Sequence, residues 1–212
     1  MSYINHDAVK SIRKRLVDYD MRVIRADGVY RHLHFHSTTD PLPGNCAFDV
    51  ITWPGHAWIG GDWCDGHTIA REHDMLASFL NVRDVSYDYW AEKMHLASRN
   101  MGLTKPSATA ADEWLTGHID DLARERTLTD DDRRDIAQEY RWEASDGNGT
   151  FSADSLQNMG TFSAENDYEI DLSIDDAWEL EFSEYTHDFL VACEGLRFAA
   201  AKWADRMNGA VE

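Results

Sequence analysis

The sequence predicts an α+β protein in which an antiparallel sheet of about four to six strands packs against helices. Two hairpin turns predict the sheet: Asp27-Gly28 and Pro54-Gly55 each separate two short apolar runs, and glycine tolerates the positive φ of a tight turn. Segments with apolar residues every three or four positions predict the helices, the last of them near the C-terminus. We expect this C-terminal helix to pack on the sheet.

The strands are expected in the first third of the chain, behind a short amphipathic helix. That helix carries Val9, Ile12 and Leu16 at spacings of three and four. A loop rich in proline separates the two hairpins. The expected strands cover residues 21–25, 29–36, 47–53 and 57–61, and the loop contains Pro41, Pro43 and Gly44.

Helices are expected from about residue 71 onward. Ser86 and Thr129 are the expected N-caps of two of them, and the three aspartates that follow Thr129 interact favourably with the positive end of a helix dipole. The positions that define the helical faces are Met75, Phe79 and Leu80; Trp90, Met94 and His95; Trp114, Leu115, Ile119 and Leu122; and Phe189, Cys193, Leu196, Ala200, Trp203 and Met207.

Length and composition fit one folded domain. A chain of 212 residues with 43% hydrophobic residues can bury a single sizeable core. We therefore expect one domain over residues 1–212. Residues 1–100 would hold the first helix, the sheet and further helices, and residues 101–212 would hold helices, an acidic hairpin and the C-terminal helix.

The cysteines and the N-terminus favour a cytoplasmic protein. Cys46, Cys64 and Cys193 are odd in number and lack CxxC spacing, so they do not indicate a disulfide framework. The first 16 residues carry four basic side chains among isolated apolar ones, unlike a signal peptide. No apolar run reaches the length of a membrane span, so we expect no membrane partner.

Negative charge is the strongest compositional feature. The chain has 39 Asp and Glu against 20 Lys and Arg, a net charge of −19. Residues 142–196 contain fourteen acidic residues and no Lys or Arg. Such a charge opposes direct binding to nucleic acid, because phosphate binding needs cationic side chains. It favours instead a partner protein whose surface is basic.

Within this block, apolar and acidic residues alternate. Residues 168–174 and 178–182 both follow a period of two, which predicts two strands joined around Asp176. One face of this hairpin would be apolar and the other would carry closely spaced carboxylates. Like charges across strands cost stability, which indicates a functional demand for them. The alternative is a solvated acidic face without a partner.

The predicted partner-binding residues come from this hairpin and its flanks. Carboxylates would imitate the charge of a nucleic acid, and an aromatic side chain would serve as an anchor in the partner. Trp178 and Tyr185 are the anchor candidates, with core packing as the alternative for each. The predicted set is Glu169, Asp171, Asp175, Asp176, Trp178, Glu179, Glu181 and Glu184.

Two groups of residues resemble metal ligands without forming a recognised site, so we expect no bound cofactor. His32, His34 and His36 alternate on a predicted strand, but same-face residues of one strand are too far apart for three to share an ion easily. Tyr30 and Arg31 beside them suggest an exposed polar face. The second group has an unusual Cys-x2-His spacing and consists of Cys64 and His67, with Cys46 and His73 nearby in sequence.

No sequence motif of an enzyme is present. The chain lacks a phosphate-binding loop, a dinucleotide fingerprint, a nucleophile elbow and an HExxH helix. Paired carboxylates for acid–base chemistry leave no such signature, so the enzyme alternative stays open. That alternative is a metal-dependent hydrolase or nuclease using the histidine strand with Asp49 or Asp62.

Several segments resemble a family of uncharacterised phage and prophage proteins. Residues 48–55, Phe-Asp-Val-Ile-Thr-Trp-Pro-Gly, are the most specific, and the likeness extends over nearly the whole chain. Further similar segments are residues 30–35, 61–62, 74–75, 89–93 and 184–190. The resemblance implies a phage setting and supplies no catalytic residues. On the histidine strand that family carries more arginine-type residues, which favours an exposed face over a metal site there.

Together these observations favour a phage-encoded inhibitor of a host nucleic-acid-binding defence complex, of the anti-CRISPR or anti-restriction kind. Its expected mechanism is nucleic-acid mimicry by the acidic block, with a basic host protein as partner. The alternatives are the metal-dependent enzyme and a structural or assembly protein of the phage.

Overall fold

The computed structural model describes residues 2–40, 46–96, 102–165 and 169–209. The loop predicted at Pro41, Pro43 and Gly44 lies outside these residues. The helices are α1 His6–Leu16, α2 Tyr87–Glu92, α3 Ala108–Glu125, α4 Asp130–Glu143, α5 Ala153–Gln157 and α6 His187–Gly209. The strands are β1 Tyr19–Asp27, β2 Tyr30–Ser37, β3 Phe48–Trp53, β4 His56–Gly61, β5 His67–Ala70, β6 Met94–Leu96, β7 Thr104–Pro106, β8 Thr161–Ser163, β9 Glu169–Asp171 and β10 Ser183–Tyr185.

The chain divides into two compact units. The sheet unit comprises residues 4–104 and 185–212, and the acidic unit comprises residues 1–3 and 105–184. Each unit contains a hydrophobic cluster of buried residues. The single domain expected over residues 1–212 stays a prediction.

The sheet unit is built on a six-stranded antiparallel sheet in the order β1-β2-β3-β4-β5-β6, which confirms the predicted fold class. Both predicted hairpins are present, because Gly28 and Gly55 adopt the positive φ values of 58° and 79° that tight turns need. A bulge between Val23 and Arg25 interrupts the pairing of β1 with β2.

One face of the sheet is buried and the other is partly exposed. On the buried face, Leu33, Phe35, Val50 and Ile59 are all fully buried, together with apolar residues of α1 and α6. α6 packs closely on β4: a side chain at Gly195 would meet Ile59 Cδ1 at 2.6 Å. Burial therefore alternates along β2 and β3, as expected for strands with one covered face.

The predicted helix around Met75, Phe79 and Leu80 is wrong, because residues 72–80 form bends and turns. The backbone bonds of this segment do not keep the helical spacing of four, since Leu80 N donates to Met75 O at 2.9 Å. The Asp74 carboxylate accepts a hydrogen bond from Ala77 N at 3.1 Å and a two-point bond from Arg31 at 2.6 and 2.7 Å. Asp74 therefore holds this turn against β2.

The expectation that Arg31 belongs to an exposed polar face is also wrong, because its side chain is buried. It is 8% exposed, pairs with Asp74, and lies with its Cζ 4.9 Å from the Trp203 ring centroid. A guanidinium is buried here because both its charge and its flat face have partners.

The helix predicted over Trp90, Met94 and His95 is shorter than expected. It ends at Glu92, and Met94–Leu96 forms β6 instead, which pairs with Thr68 and Ile69 of β5. The edge of β5 offers backbone groups that need partners, and this demand outweighs local helix periodicity.

The acidic unit contains α3, α4, α5 and the two-stranded sheet of β8 and β9. As predicted, Thr129 caps α4: its hydroxyl accepts from Asp132 N at 3.1 Å, while Asp132 accepts from Thr129 N at 2.9 Å. Tyr140 is buried and donates to Leu172 O at 2.7 Å. In the described part of the chain, no helix combines the length and the apolar character needed to cross a bilayer.

Candidate functional site

The two units differ sharply in charge. The acidic unit has 22 Asp and Glu against six Lys and Arg, a net charge of −16, whereas the sheet unit has 17 against 14, a net charge of −3. The charge of the chain is therefore a property of one compact unit. The acidic segment, residues 169–184, is the candidate site.

The predicted acidic hairpin is wrong. Glu169–Asp171 is a strand, but it pairs with Thr161–Ser163, and residues 178–182 form no strand. Asp176 adopts a left-handed φ of 56°, and Ala177–Glu179 forms a short 3-10 turn. Tyr168, at the start of the predicted alternation, lies outside the described residues.

The alternating pattern predicted that residues 168–174 pair with residues 178–182. Core packing explains why this prediction is wrong. Leu172 N donates to Gly160 O at 3.1 Å and Ile174 N donates to Leu156 O at 2.9 Å, so the backbone is satisfied by earlier segments. Leu172 and Ala177 are buried in the core of the acidic unit. An irregular extended chain that buries alternate side chains has the same period as a strand.

The predicted partner-binding residues are nevertheless mostly on the surface. Seven of the eight are exposed: Glu169, Asp171, Asp175, Asp176, Trp178, Glu179 and Glu181. Glu184 differs, because its side chain is only 15% exposed and forms an ion pair with Lys105 at 2.9 Å. Glu184 also accepts a hydrogen bond from Ser107 Oγ at 3.0 Å, so it supports the local fold.

Five of the six cations of the acidic unit pair with carboxylates outside residues 169–181. Arg133 pairs with Asp120 and Arg141 with Asp112, both at 2.9 Å and both between α3 and α4. Arg124 and Arg134 pair with aspartates of their own helices. Among the described residues, no Lys or Arg forms an ion pair with any of Glu169, Asp171, Asp175, Asp176, Glu179 and Glu181.

Local hydrogen bonds favour the charged form of one of these carboxylates. Asp171 accepts a hydrogen bond from Ser173 N at 2.9 Å, and this bond lowers the pKa of the Asp171 carboxyl. The fold thus stabilises negative charge at the start of the exposed segment.

Exposed tryptophans accompany the charge. Trp178 is 64% exposed and lies in the turn between Asp176 and Glu179. Trp142 is 84% exposed at the end of α4, and the sequence analysis missed it. A helical projection would have found it, since Ile136 and Tyr140 define the buried face of α4. Tryptophan is one of the residue types enriched in protein interfaces.

The prediction that Tyr185 is a second anchor for a partner is wrong. Its ring is only 4% exposed and packs on Phe189 with a centroid distance of 4.8 Å. Its hydroxyl donates to Asp88 Oδ1 at 2.7 Å. Core packing, the alternative considered for this residue, accounts for Tyr185.

The histidine strand of the sheet unit meets a carboxylate. His32 Nε2 and His34 Nδ1 lie 2.9 and 3.1 Å from Asp49 Oδ1, and His34 stacks on His36 with a centroid distance of 5.9 Å. Asp62, the other acid considered for this site, accepts instead from Cys46 N at 2.6 Å. The described residues contain no group of three or more His, Cys, Asp or Glu arranged to hold a metal ion.

The Cys-x2-His pair occupies a buried position. His67 is fully buried, and its Nε2 lies 2.5 Å from Asp188 Oδ2. Cys64 is 3% exposed, and burial together with Asp188 raises the pKa of its thiol to about 12. A thiol with so high a pKa is not a reactive nucleophile. His73 is exposed, and Cys46 accepts from Arg15 Nη2 at 2.8 Å.

Fold and site together define an α+β protein whose charge is concentrated in one unit, with carboxylates at residues 169–181 that have no cation partner within the described ranges. Comparison of the chain with protein-family models, with curated proteins and with solved structures found no match. The resemblance to phage and prophage proteins stays a prediction.

Proposed function

We propose that the acidic unit binds a basic, nucleic-acid-binding protein and occupies the surface on which that protein holds its nucleic acid. In the phage setting that the sequence resemblance implies, the target is a host defence complex, so the chain acts as an anti-CRISPR or anti-restriction inhibitor. One observation carries the proposal: six exposed carboxylates at residues 169–181 have no cation partner among the described residues.

Unneutralised carboxylates of this kind destabilise the free protein through mutual repulsion. A basic partner removes that repulsion, and the complementary fields accelerate the encounter. Nucleic acid itself is a poor partner for the same reason, since phosphates would meet a unit with a net charge of −16. The partner is therefore a protein with a positive surface.

Trp178 gives this surface an apolar anchor. Tryptophan is among the residues that most often carry the binding energy of an interface, where it fills a desolvated pocket ringed by weaker contacts. Here the indole lies next to Glu179 in a short turn, with Asp175 and Asp176 just before it. The arrangement combines one apolar anchor with a charged rim, as protein interfaces do.

Affinity capture of host proteins tests the proposal with three baits. The first is the wild-type chain, and the second has six acids of the site changed to the matching amides: Glu169, Asp171, Asp175, Asp176, Glu179 and Glu181. The third has six exposed acids of the sheet unit changed in the same way: Asp7, Asp18, Asp20, Asp27, Glu72 and Glu92. Both variants carry a net charge of −13 instead of −19, so a difference in recovery between them cannot come from the total charge lost.

We expect the wild-type and sheet-unit baits to recover the same nucleic-acid-binding protein, and the site variant to lose it. Equal recovery by all three baits would contradict the proposal. Stoichiometric zinc or manganese in the purified protein, with an activity that His34→Ala abolishes, would favour the hydrolase alternative. Presence of the chain in purified phage particles would favour the assembly alternative.

A further inference from the structure

The partly exposed face of the six-stranded sheet contains a groove near the two hairpin turns. The groove has a volume of about 280 Å³ and lies entirely within the sheet unit. Its lining residues are Arg25, Tyr30, Arg31, His32, Ile51, Thr52 and Trp53. None of them belongs to the acidic segment, residues 169–184, so the groove is independent of the function proposed above.

Strand register places a cation, an imidazole and an aliphatic side chain in one row. His32 on β2 lies opposite Arg25 on β1 and opposite Ile51 on β3. Residues directly opposite on antiparallel strands have neighbouring side chains. The groove therefore has a polar end and an apolar floor that come from three adjacent strands.

Two of the lining side chains are held in place by neighbours outside the groove. Trp53 stacks on His56 with a centroid distance of 5.2 Å and an angle of 7° between the rings. His32 Nε2 lies 2.9 Å from Asp49 Oδ1. Side chains that are fixed before binding lose less entropy when a ligand arrives.

Two further lining side chains, Tyr30 and Arg25, are available to a ligand. Tyr30 is 52% exposed although it is a large aromatic residue. The Arg25 side chain is 69% exposed, and its ion pair with the similarly exposed Asp27 is a 3.4 Å contact. Surface pairs of this kind contribute little, so an anion can replace Asp27 on the guanidinium.

We propose that this groove binds a planar aromatic anion, that is, a single ring system that carries a phosphate or carboxylate group. Tyr30 and Trp53 supply aromatic surface for the ring, because aromatic rings favour stacked or edge-on contact with one another. Arg25 supplies the two-point hydrogen bonds that a phosphate or carboxylate accepts from a guanidinium. The volume of the groove limits the ligand to about the size of one mononucleotide.

Isothermal titration calorimetry of the full chain tests this site with four probes. Adenosine 5′-monophosphate and 4-hydroxybenzoate carry both a ring and a negative charge, and they distinguish a phosphate from a carboxylate. Adenosine lacks the charge, and inorganic phosphate lacks the ring. We expect at least one of the two aromatic anions to bind with 1:1 stoichiometry and a dissociation constant on the order of 0.1–1 mM. Adenosine and phosphate are expected to bind at least about ten-fold more weakly.

Arg22 provides a matched control for the cation. It is exposed on the same strand as Arg25 but lies opposite His34, outside the groove. We expect Arg25→Gln to weaken binding of the aromatic anion about ten-fold, and Arg22→Gln to change it less than about two-fold. Tyr30→Ala, at an exposed position, is expected to weaken binding while leaving thermal unfolding unchanged.

Three results would overturn the proposal. The first is that neither aromatic anion binds saturably. The second is that inorganic phosphate binds as tightly as the aromatic anions. The third is that Arg22→Gln and Arg25→Gln weaken binding equally. The last result would indicate a general charge effect of the sheet unit instead of a site.

Discussion

Arg13 of α1 and Glu194 of α6 form a two-point ion pair in the sheet unit, with Arg13 Nε 2.9 Å from Glu194 Oε2 and Nη2 3.0 Å from Oε1. Glu194 is fully buried and also accepts from Tyr87 Oη at 2.6 Å and from Arg197 Nε at 2.8 Å. This one carboxylate therefore joins α1, α2 and α6. A buried charge is tolerated here because hydrogen bonds satisfy both of its oxygens.

Replacing Glu194 tests this network. We expect Glu194→Gln to lower the free energy of unfolding by about 2–4 kcal/mol, because Arg13 and Arg197 lose a buried anionic partner and the glutamine cannot replace its charge. Urea unfolding followed by circular dichroism measures the change. Glu72→Gln, an exposed position, is the control and is expected to change the value by less than about 0.5 kcal/mol. Equal effects of the two variants would contradict the role of Glu194.

Acid should remove the contribution of Glu194. Burial alone would raise its pKa, but the hydrogen bonds from Arg13, Tyr87 and Arg197 outweigh burial and lower the pKa below its usual 4.5. A lowered pKa in the folded state stabilises the protein fully above about pH 4.5 and progressively less as pH falls through the folded value. The difference in free energy of unfolding between wild type and Glu194→Gln should therefore shrink below pH 4.5. A difference that stays constant down to pH 3 would contradict this assignment.

The ion pair between Arg31 and Asp74 predicts that lysine at position 31 lowers the free energy of unfolding. Arg31 holds both oxygens of Asp74 and stacks on Trp203, and its bond lowers the pKa of the Asp74 carboxyl. A lysine provides neither the fork geometry nor the flat face. We expect Arg31→Lys to cost about 1–3 kcal/mol of unfolding free energy. Arg22→Lys on the exposed face of the neighbouring strand should cost almost nothing, and similar losses for both would refute the pairing argument.

Asp132 predicts a stability effect in the acidic unit. Its carboxylate accepts from Thr129 N at 2.9 Å and from Glu165 N at 3.0 Å, so it both caps α4 and holds the segment that leads to β9. We expect Asp132→Ala to lower the free energy of unfolding by about 1–2 kcal/mol. Asp130→Ala removes the same charge from the same helical turn at an exposed position, and an equal loss there would show that only the helix dipole matters.

Local signals account for what could be predicted from the sequence. Gly28 and Gly55 need a positive φ whatever surrounds them, so the two hairpins and four strands follow from neighbouring residues alone. Thr129 likewise caps α4 through an atom three residues away. The exposure of the six carboxylates at residues 169–181 also follows from their charge.

The remaining features depend on partners that are distant in sequence. The turn at residues 72–80 is held against β2 because Asp74 binds Arg31, 43 positions earlier. β9 pairs with β8 and not with residues 178–182, and the backbone that follows it bonds to Gly160 O and Leu156 O, at least twelve positions earlier. The convergence of His32 and His34 on Asp49 depends on the register of β2 with β3. No periodicity in the sequence encodes such pairings.

The most direct test of the acidic surface is a competition measurement on the protein recovered by affinity capture. Its labelled nucleic-acid substrate is titrated with wild type, the six-acid site variant and the six-acid sheet-unit variant, at salt concentrations from about 0.1 to 0.5 M. We predict that wild type and the sheet-unit variant displace the nucleic acid, that displacement weakens as salt rises, and that the site variant is at least about ten-fold weaker. Equal displacement by the site variant, or a stable complex that holds the chain and the nucleic acid together, would contradict nucleic-acid mimicry by residues 169–181.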